Sequence, residues 1–154
     1  MPAVPGLRSP YAKIGRLVYF GRMLDKIRLH AAGKLPPEYV ANLGDQAAPN
    51  FFDARCCRFL GVTHAALTAR TLAGGSDEEI LAWAHEHGTK RTDEECEIWN
   101  TFMTKRGWRD AGSELVKQRS VQFGLTGKSP QTMFEVLDYD EGRDPAAERP
   151  WEKI

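Results

Sequence analysis

The chain has 154 residues, and its 21 lysines and arginines equal its 21 aspartates and glutamates, so the formal net charge is zero. This balance argues against a nucleic-acid or anionic-membrane surface, and no apolar run approaches the ~20 residues of a membrane span. The start, MPAVPGLR, lacks the apolar region of a signal peptide, and three cysteines do not make a secreted disulfide framework. We expect one cytoplasmic domain that needs no disulfide or metal.

The stretch from Ser9 to Gly33 predicts the helix around which the chain is organised. Ser9 suits an N-cap, Pro10 suits the first helical position, and Gly33 suits the stop. At ~100° per residue one wide arc is apolar, and the opposite arc, which includes Arg22, Lys26, Tyr19 and Met23, also holds large apolar groups. We therefore predict a central helix over residues 10–32 that is contacted on most sides.

Two charged side chains interrupt the apolar arc of this helix. Asp25 and Arg28 are three residues apart and so are neighbours on the helix surface, and Arg22 flanks Asp25 at the same spacing. Buried charges must be paired, because removing an ion from water costs several kcal/mol. Either the three residues form a structural network, or a guanidinium binds an anion that Asp25 orients. Gly21 lies between them and would allow close approach of another group.

Glycines and capping residues divide the rest of the chain into short helices. Ser76 with Glu79, and Thr92 with Glu95, form capping boxes. No segment shows convincing strict alternation of apolar and polar residues, so no strand is predicted. The expected fold is all-α, a single compact domain of seven or eight helices packed around the N-terminal helix.

Composition sets the ends of the domain. Residues 1–8 contain two prolines and a glycine and are predicted to form an extended lead-in. Residues 9–140 hold the predicted helices and form the single domain. From residue 141 the chain becomes polar and contains prolines, so residues 141–154 are expected to be a loosely held tail.

A second group of candidate binding residues begins at Trp99. The predicted apolar arc of this helix consists of Ile98, Phe102, Trp99, Met103 and Cys96. Arg106 falls within this arc, and Asn100 lies at its edge. A cation near a helix C-terminus meets the negative end of the helix dipole, but this does not explain why Arg106 points inward. Trp108 and Arg109 follow, and tryptophan and arginine dominate binding hot spots.

The cysteines, the histidines and one glycine-containing turn offer weaker signals. Adjacent Cys56 and Cys57 are not expected to face the core together, and no base lies near them in sequence, so cysteine catalysis is disfavoured. His85 and His87 point about 200° apart on a helix and cannot chelate one metal. The GKS run at 127–129 lacks the earlier glycine and the preceding strand of a phosphate-binding loop. No metal or cofactor is predicted.

Three long contiguous runs carry a resemblance to a known family. The runs are LVYFGRMLDKIRLHAAGKLP, FDARCCRFLGV and IWNTFMTKRGWRD. They resemble a family of short bacterial proteins catalogued as a domain of unknown function, and the resemblance extends from about Leu7 to Gly142. It implies a bacterial cytoplasmic protein and supplies no activity, cofactor or catalytic residue.

Two functions stay open, and so does the question of catalysis. The first is binding of a small anionic carboxylate or phosphate, because a planar guanidinium holds two oxygens at once. Asp25 would orient the guanidinium or act as a base if burial raised its pKa. The predicted binding residues are Asp25, Arg28 and Arg106, followed by Arg22, Arg55, Arg58, Trp99 and Asn100.

The alternative function is that of a protein-interaction module or a homo-oligomeric structural protein. In this interpretation the tryptophans at positions 83, 99, 108 and 151 are anchors, and the charged network only holds the fold. A pocket with converging polar groups would favour anion binding, whereas an exposed apolar patch would favour the interaction module.

Overall fold

Only the second part of the predicted N-terminal helix is helical. In the computed structural model, which describes residues 3–45 and 49–152, Lys13–Ile14 and Leu17–Val18 form two short antiparallel strands, β1 and β2. The helix α1 begins only at Phe20 and runs over Phe20–Ala31. The prediction of one helix over residues 10–32 is therefore wrong before residue 20.

Backbone turns and one tertiary contact explain the hairpin. Gly15 has φ +55°, which glycine adopts at little cost, and Tyr19 has φ 73° immediately before α1. The side chain of Asn100 accepts a hydrogen bond from the Val18 N–H at 3.1 Å and donates one to the Arg16 carbonyl at 2.6 Å. Because these partners lie more than 80 residues away, an apolar pattern alone does not distinguish this hairpin from a helical turn.

The described ranges contain nine α-helices and one 3₁₀ turn, so the all-α class is confirmed. These nine α-helices exceed the predicted seven or eight, and two of them, α2 and α9, are single turns that begin at prolines. After α1 the helices are α2 Pro37–Val40, α3 Phe52–Leu60, α4 His64–Leu72, α5 Asp77–His87, α6 Asp93–Lys105, α7 Ser113–Gln122, α8 Met133–Asp140 and α9 Pro145–Glu148, with the 3₁₀ turn at Thr126–Lys128.

Helix α1 lies at the centre of the core, as its sequence predicts. Phe20, Met23 and Leu24 have no exposed surface, and Arg22 and Lys26 on the other arc are buried as well. The core around α1 is built from the hairpin and from α3, α4, α5, α6 and α8. Both predicted capping boxes are present, at the starts of α5 and α6.

Two predicted helix faces differ from the observed ones. Ile98 and Phe102 were expected in the apolar arc of α6, but 64% and 39% of their surfaces are exposed. Helix α6 packs against the core through the other members of that arc, Cys96, Trp99 and Met103. Cys56 and Cys57 are both buried, because α3 is covered on two sides.

The segment after residue 140 is packed, in contrast to the expected loose tail. Glu141 is 1% exposed, Arg143 donates to the Leu7 carbonyl, and Arg149 donates to the Tyr11 hydroxyl at 2.8 Å. Charged side chains with buried partners hold a polar segment in place as apolar ones would. Residues 153–154 of this segment, and residues 1–2 of the lead-in, lie outside the described residues.

No helix in the described parts of the chain combines the length and apolar character that crossing a bilayer requires.

The close approach expected at Gly21 is present, and it yields a stability prediction. A Cβ atom at this position would lie 3.0 Å from Arg8 Cζ and 3.0 Å from Ile14 Cγ1, and Arg8 donates to the Gly21 carbonyl at 3.1 Å. We expect Gly21→Leu to lower the free energy of unfolding by more than the ~1–3 kcal/mol typical of overpacking, measured by urea unfolding. Gly127→Leu is the control, since no atom of the described residues lies within 4 Å of a Cβ there. Equal stabilities of the two variants would contradict the prediction.

Candidate ligand-binding cavity

A cavity of about 630 Å³ opens beside the side of α1 that carries Arg22 and Lys26. Its wall comes from α1, α2, α7 and α8 and from the chain around residues 41–42 and 50–52. Much of the wall is apolar, and its charged members converge from different elements. The apolar side chains include Phe51, Phe52, Leu115, Phe123, Val136 and Leu137, and the charged ones are Arg22, Lys26, Arg106, Arg119, Glu38 and Asp140.

A buried lysine and aspartate form the first polar centre of the cavity wall. Lys26 Nζ lies 3.0 Å from Asp53 Oδ1, and the Tyr19 hydroxyl donates to the same oxygen at 2.5 Å. The other carboxylate oxygen accepts the Gly44 N–H at 2.9 Å. Burial lowers the pKa of Lys26, against the opposing charge of Asp53, and burial raises the pKa of Tyr19 well above its usual value. Tyr19 therefore stays protonated, and the ammonium proton is held less firmly than in water.

A buried arginine and glutamate form the second centre, one helical turn before Lys26. Arg22 donates through both terminal nitrogens to Glu141, at 2.8 Å and 2.6 Å. The Tyr39 hydroxyl donates to Glu141 at 2.8 Å, and Arg143 also donates to it. Burial alone would raise the pKa of Glu141, but the hydrogen bonds and charge of Arg22 hold it below its usual value. This centre is a neutralised ion pair, and its guanidinium is largely occupied by protein.

A group of arginines at the edge of the cavity is less completely neutralised. Arg55 and Arg106 both lie over the ring of Phe102, at 5.2 Å and 5.8 Å from its centre. The pKa of Arg55 is lowered by burial and then by the charges of Arg106 and Arg58. Arg106 has an ion-pair partner in Asp110, at 3.6 Å. Within the described parts of the chain, like charges are therefore crowded here without an equal number of close carboxylates.

Arg119 is a further arginine of the cavity wall. Arg119, on α7, donates to the side chain of Gln122 at 2.6 Å, and its guanidinium lies 5.9 Å from the ring centre of Phe123. Among the described contacts, its polar partner is an amide and not a carboxylate. Arg106 and Arg119 thus present positive charge toward one cavity.

The structure divides the predicted binding residues into separate groups. Arg22 and Arg106 line the cavity, and Arg55 lies beside Arg106. Asp25 and Arg28, 3.6 Å apart, belong to another network and are not among the residues that line the cavity. The expected convergence of Arg106 with Asp25 and Arg28 at one cavity is therefore not observed.

An unpredicted partner explains why Asp25 does not pair with Arg22. Arg8, from the segment before the hairpin, donates its Nε and backbone N–H to Asp25 at 2.8 Å and 3.0 Å. Asp77 of α5 binds Arg8 and Arg28 at 2.8 Å and 2.7 Å. The network of Arg8, Asp25, Arg28 and Asp77 ties three elements together, and the predicted Arg22–Asp25 contact is replaced by Arg22–Glu141.

The remaining predicted residues lie away from the cavity wall. Asn100 holds the hairpin, and Trp99 is 7% exposed and stacks on Phe59 with ring centres 4.5 Å apart. Arg58 is exposed. Of the tryptophans considered as anchors, those at positions 108 and 151 are exposed, at 46% and 36%, and Trp83 stacks on His87.

Sequence reasoning missed the lysine, tyrosine and carboxylates of the two buried centres. A signal existed for Lys26 and Tyr19, because large apolar groups on their side of α1 indicated that this side also is covered. No local pattern indicated that Asp53 or Glu141 would be buried, since each becomes so only through distant contacts.

The buried thiols and the possible metal ligands of the described residues do not form a further candidate site. Burial raises the pKa of Cys56 well above its usual value and that of Cys57 to about 12, so neither is a thiolate near neutral pH. In residues 3–45 and 49–152 no group of three or more histidine, cysteine, aspartate or glutamate side chains is arranged to hold a metal.

Comparison with known proteins identifies the family and no activity. No curated protein and no solved structure matches this chain. The model of one family matches residues 4–143 of the 154, which agrees with the extent of the resemblance in the sequence. The chain therefore belongs to the family described as Domain of unknown function (DUF5069).

Proposed function

We propose that the protein binds a small anionic molecule in the 630 Å³ cavity. The observation that carries this proposal is the crowding of Arg55 and Arg106 on Phe102, with Arg119 in the wall of the same cavity. Close like charges raise the free energy of the empty protein, and a bound carboxylate or phosphate would relieve that repulsion. A guanidinium supplies the two parallel donors that such a group accepts.

The rest of the wall indicates that the ligand also has an apolar part. Phe51, Phe123 and Leu115 line the cavity, and small-molecule sites are typically apolar clefts with a few placed polar groups. Glu38 and Asp140 lie in the wall too. We assign the ligand's negative group to the Arg106 end of the cavity and its apolar part to the aromatic wall.

Thermal unfolding tests the proposal with phosphate, sulfate, acetate and phenylacetate, with sodium chloride at matched ionic strength as the reference. A ligand that binds only the folded state stabilises it by about 2.7 kcal/mol at one hundred times its Kd. We expect at least one of these anions to raise the Tm of the wild type. Arg106→Met and Arg119→Met should lose that shift.

Arg28→Met is the matched control, because Arg28 belongs to the network outside the cavity. Each variant is compared with its own Tm in sodium chloride, so a change in basal stability does not affect the result. Equal shifts in all four proteins, or a shift abolished only by Arg28→Met, would contradict binding in the cavity.

Exposed apolar side chains keep the interaction module as a second candidate. Ile98 and Phe102 on α6, Leu115 and Val121 on α7, and Trp108 between the two helices are all exposed. Apolar patches on a surface mark interaction sites when they are contiguous. A stable homo-oligomer in native mass spectrometry, with no anion-dependent change in Tm, would favour this alternative.

A further inference from the structure

We infer that Lys26 is an amine nucleophile that forms a Schiff base with a carbonyl group of the bound anion, so that the ligand is an oxo acid. This inference rests on the proposed function, because the cavity must first accept the anion. It assigns a covalent role to a side chain that lines the cavity beside a carboxylate and a hydroxyl.

The position of Lys26 satisfies the first requirement, which is access to the ligand. Lys26 is 4% exposed, yet it lines the cavity, so a bound molecule meets it away from bulk water. An amine in such a place reacts with a carbonyl more readily than a surface lysine, whose ammonium form dominates.

The surroundings of Lys26 satisfy the second requirement, which is a group that takes the ammonium proton. Asp53 Oδ1 lies 3.0 Å from Nζ, and the Tyr19 oxygen lies 3.5 Å from it. Arg22 and Glu141 also act on Lys26, the first lowering its pKa and the second raising it. Arg22 and Glu141 neutralise one another. Asp53 Oδ1 lies closest to the amine and is the acceptor of the ammonium proton.

The ionisable groups that face Lys26 come from four elements. Tyr19 and Arg22 come from the start of α1 and the residue before it, Asp53 from α3, Glu141 from the residue after α8, and His64 from α4. The pKa of His64 is lowered mainly by burial and also by the charge of Lys26. Burial lowers the pKa of Lys26 despite Asp53. The unreactive ammonium is therefore less dominant here than at a surface lysine.

The backbone at Tyr19 supports a functional arrangement. Tyr19 has φ 73°, a conformation that costs energy for any residue except glycine. This conformation places its hydroxyl 2.5 Å from Asp53. Strained backbone of this kind persists where the surrounding structure requires it, and here it completes the hydrogen-bonding of the carboxylate.

The reaction balances without any added oxidant or reductant. The Lys26 ammonium passes one proton to Asp53, and the free electron pair of Nζ attacks the carbonyl carbon of the oxo acid. The new C–N bond gives a carbinolamine, and its oxygen takes one proton back from Asp53. The same oxygen takes a second proton from the former ammonium nitrogen. The C–O bond then breaks, and the oxygen leaves as water. The products are a protonated imine and one water molecule.

Trapping with sodium cyanoborohydride tests the inference. The protein is incubated with pyruvate, phenylglyoxylate or 4-oxopentanoate, in which the carbonyl and carboxylate are separated differently. Intact-mass measurement should show one adduct with the mass of the oxo acid, minus water and plus two hydrogens. Peptide mapping should place that adduct on Lys26.

Lys26→Arg is the main variant, because it keeps the charge beside Asp53 but its guanidinium is not deprotonated in proteins. It should lose the adduct, whereas Lys117→Arg, at an exposed position of α7, should keep it. Circular dichroism establishes that both variants are folded. If Lys26→Arg does not fold, the position of the wild-type adduct in the peptide map shows whether Lys26 reacts.

The outcomes separate the inference from the proposed function. Phenylacetate has no ketone or aldehyde, so its effect on Tm reports anion binding alone. A phenylacetate shift together with no adduct on Lys26, for any of the three oxo acids, would overturn the Schiff base and leave the binding site intact. An adduct spread over surface lysines, unchanged in Lys26→Arg, would overturn it as well.

Discussion

Replacing Glu141 by alanine is expected to lower the free energy of unfolding by about 3–5 kcal/mol. Arg22 is 2% exposed and donates two hydrogen bonds to this carboxylate, and Arg143 also donates to it. A guanidinium does not lose its proton inside a protein, so the variant leaves a buried charge without its carboxylate. Breaking a buried pair in this way costs far more than losing a surface ion pair.

Urea unfolding and Tm measure this loss. For a domain of this length, 1 kcal/mol corresponds to about 2–4 °C. Glu97→Ala, at an exposed position of α6, is the control and should stay within about 0.5 kcal/mol of the wild type. A Glu141→Ala protein as stable as Glu97→Ala would show that Arg22 and Glu141 do not form a tight buried pair in solution.

Replacing Asp53 by asparagine is expected to destabilise the protein strongly near neutral pH and less strongly at alkaline pH. The substitution keeps the shape of the side chain but removes the charge that Lys26 faces at 3.0 Å. We expect a loss of about 2–4 kcal/mol at pH 6.5, in the range of broken buried pairs.

The pH dependence follows from the direction of the Lys26 shift. The pKa of Lys26 is lowered in the folded protein by burial, so above that pKa the unfolded chain binds more protons and stability rises with pH up to the unfolded value of about 10.4. Without Asp53 the folded pKa is lower still, because that charge raises it. The neutral amine then forms at lower pH, and the penalty for a buried cation decreases.

The measurement compares each variant with the wild type at pH 6.5 and pH 9.5 by urea unfolding. The loss of unfolding free energy in Asp53→Asn should shrink more over this interval than the loss in Glu141→Ala. Asp53 raises the pKa of Lys26 more strongly than Glu141 does, and the Arg22 that Glu141→Ala leaves unpaired cannot deprotonate. If the loss of unfolding free energy depended on pH in the same way in both variants, Lys26 would not be the group that titrates.

Local signals account for the parts of the fold that the sequence predicts correctly. The capping boxes at Ser76 and Thr92 depend on contacts within four residues, and the stop near Gly33 depends on one left-handed residue, at φ +69°. Such contacts need only residues that are close in sequence, so they can be recognised without the rest of the molecule.

The candidate site was only partly predictable, because burial of a polar side chain depends on distant partners. Arg106 was recognised as a charge on an apolar arc and Arg22 as a neighbour of Asp25, and both line the cavity. Lys26 was assigned to the arc opposite the apolar one, and its buried contacts include the carboxylate of Asp53, 27 residues away. A helical wheel shows which side chains share a face of α1 but not which elements cover that face.

The sequence by itself determined the all-α class, the order of the main helices and the central position of α1, because these follow from periodicity and capping within single segments. Only the tertiary structure decided that residues 13–18 form a hairpin, since Asn100 of α6 supplies the hydrogen bonds that hold it. The same is true of the pairing of charges. Arg22 could meet Asp25 along the helix, but a buried guanidinium pairs with the carboxylate that offers two oxygens in the right plane, and that carboxylate is Glu141, 119 residues away.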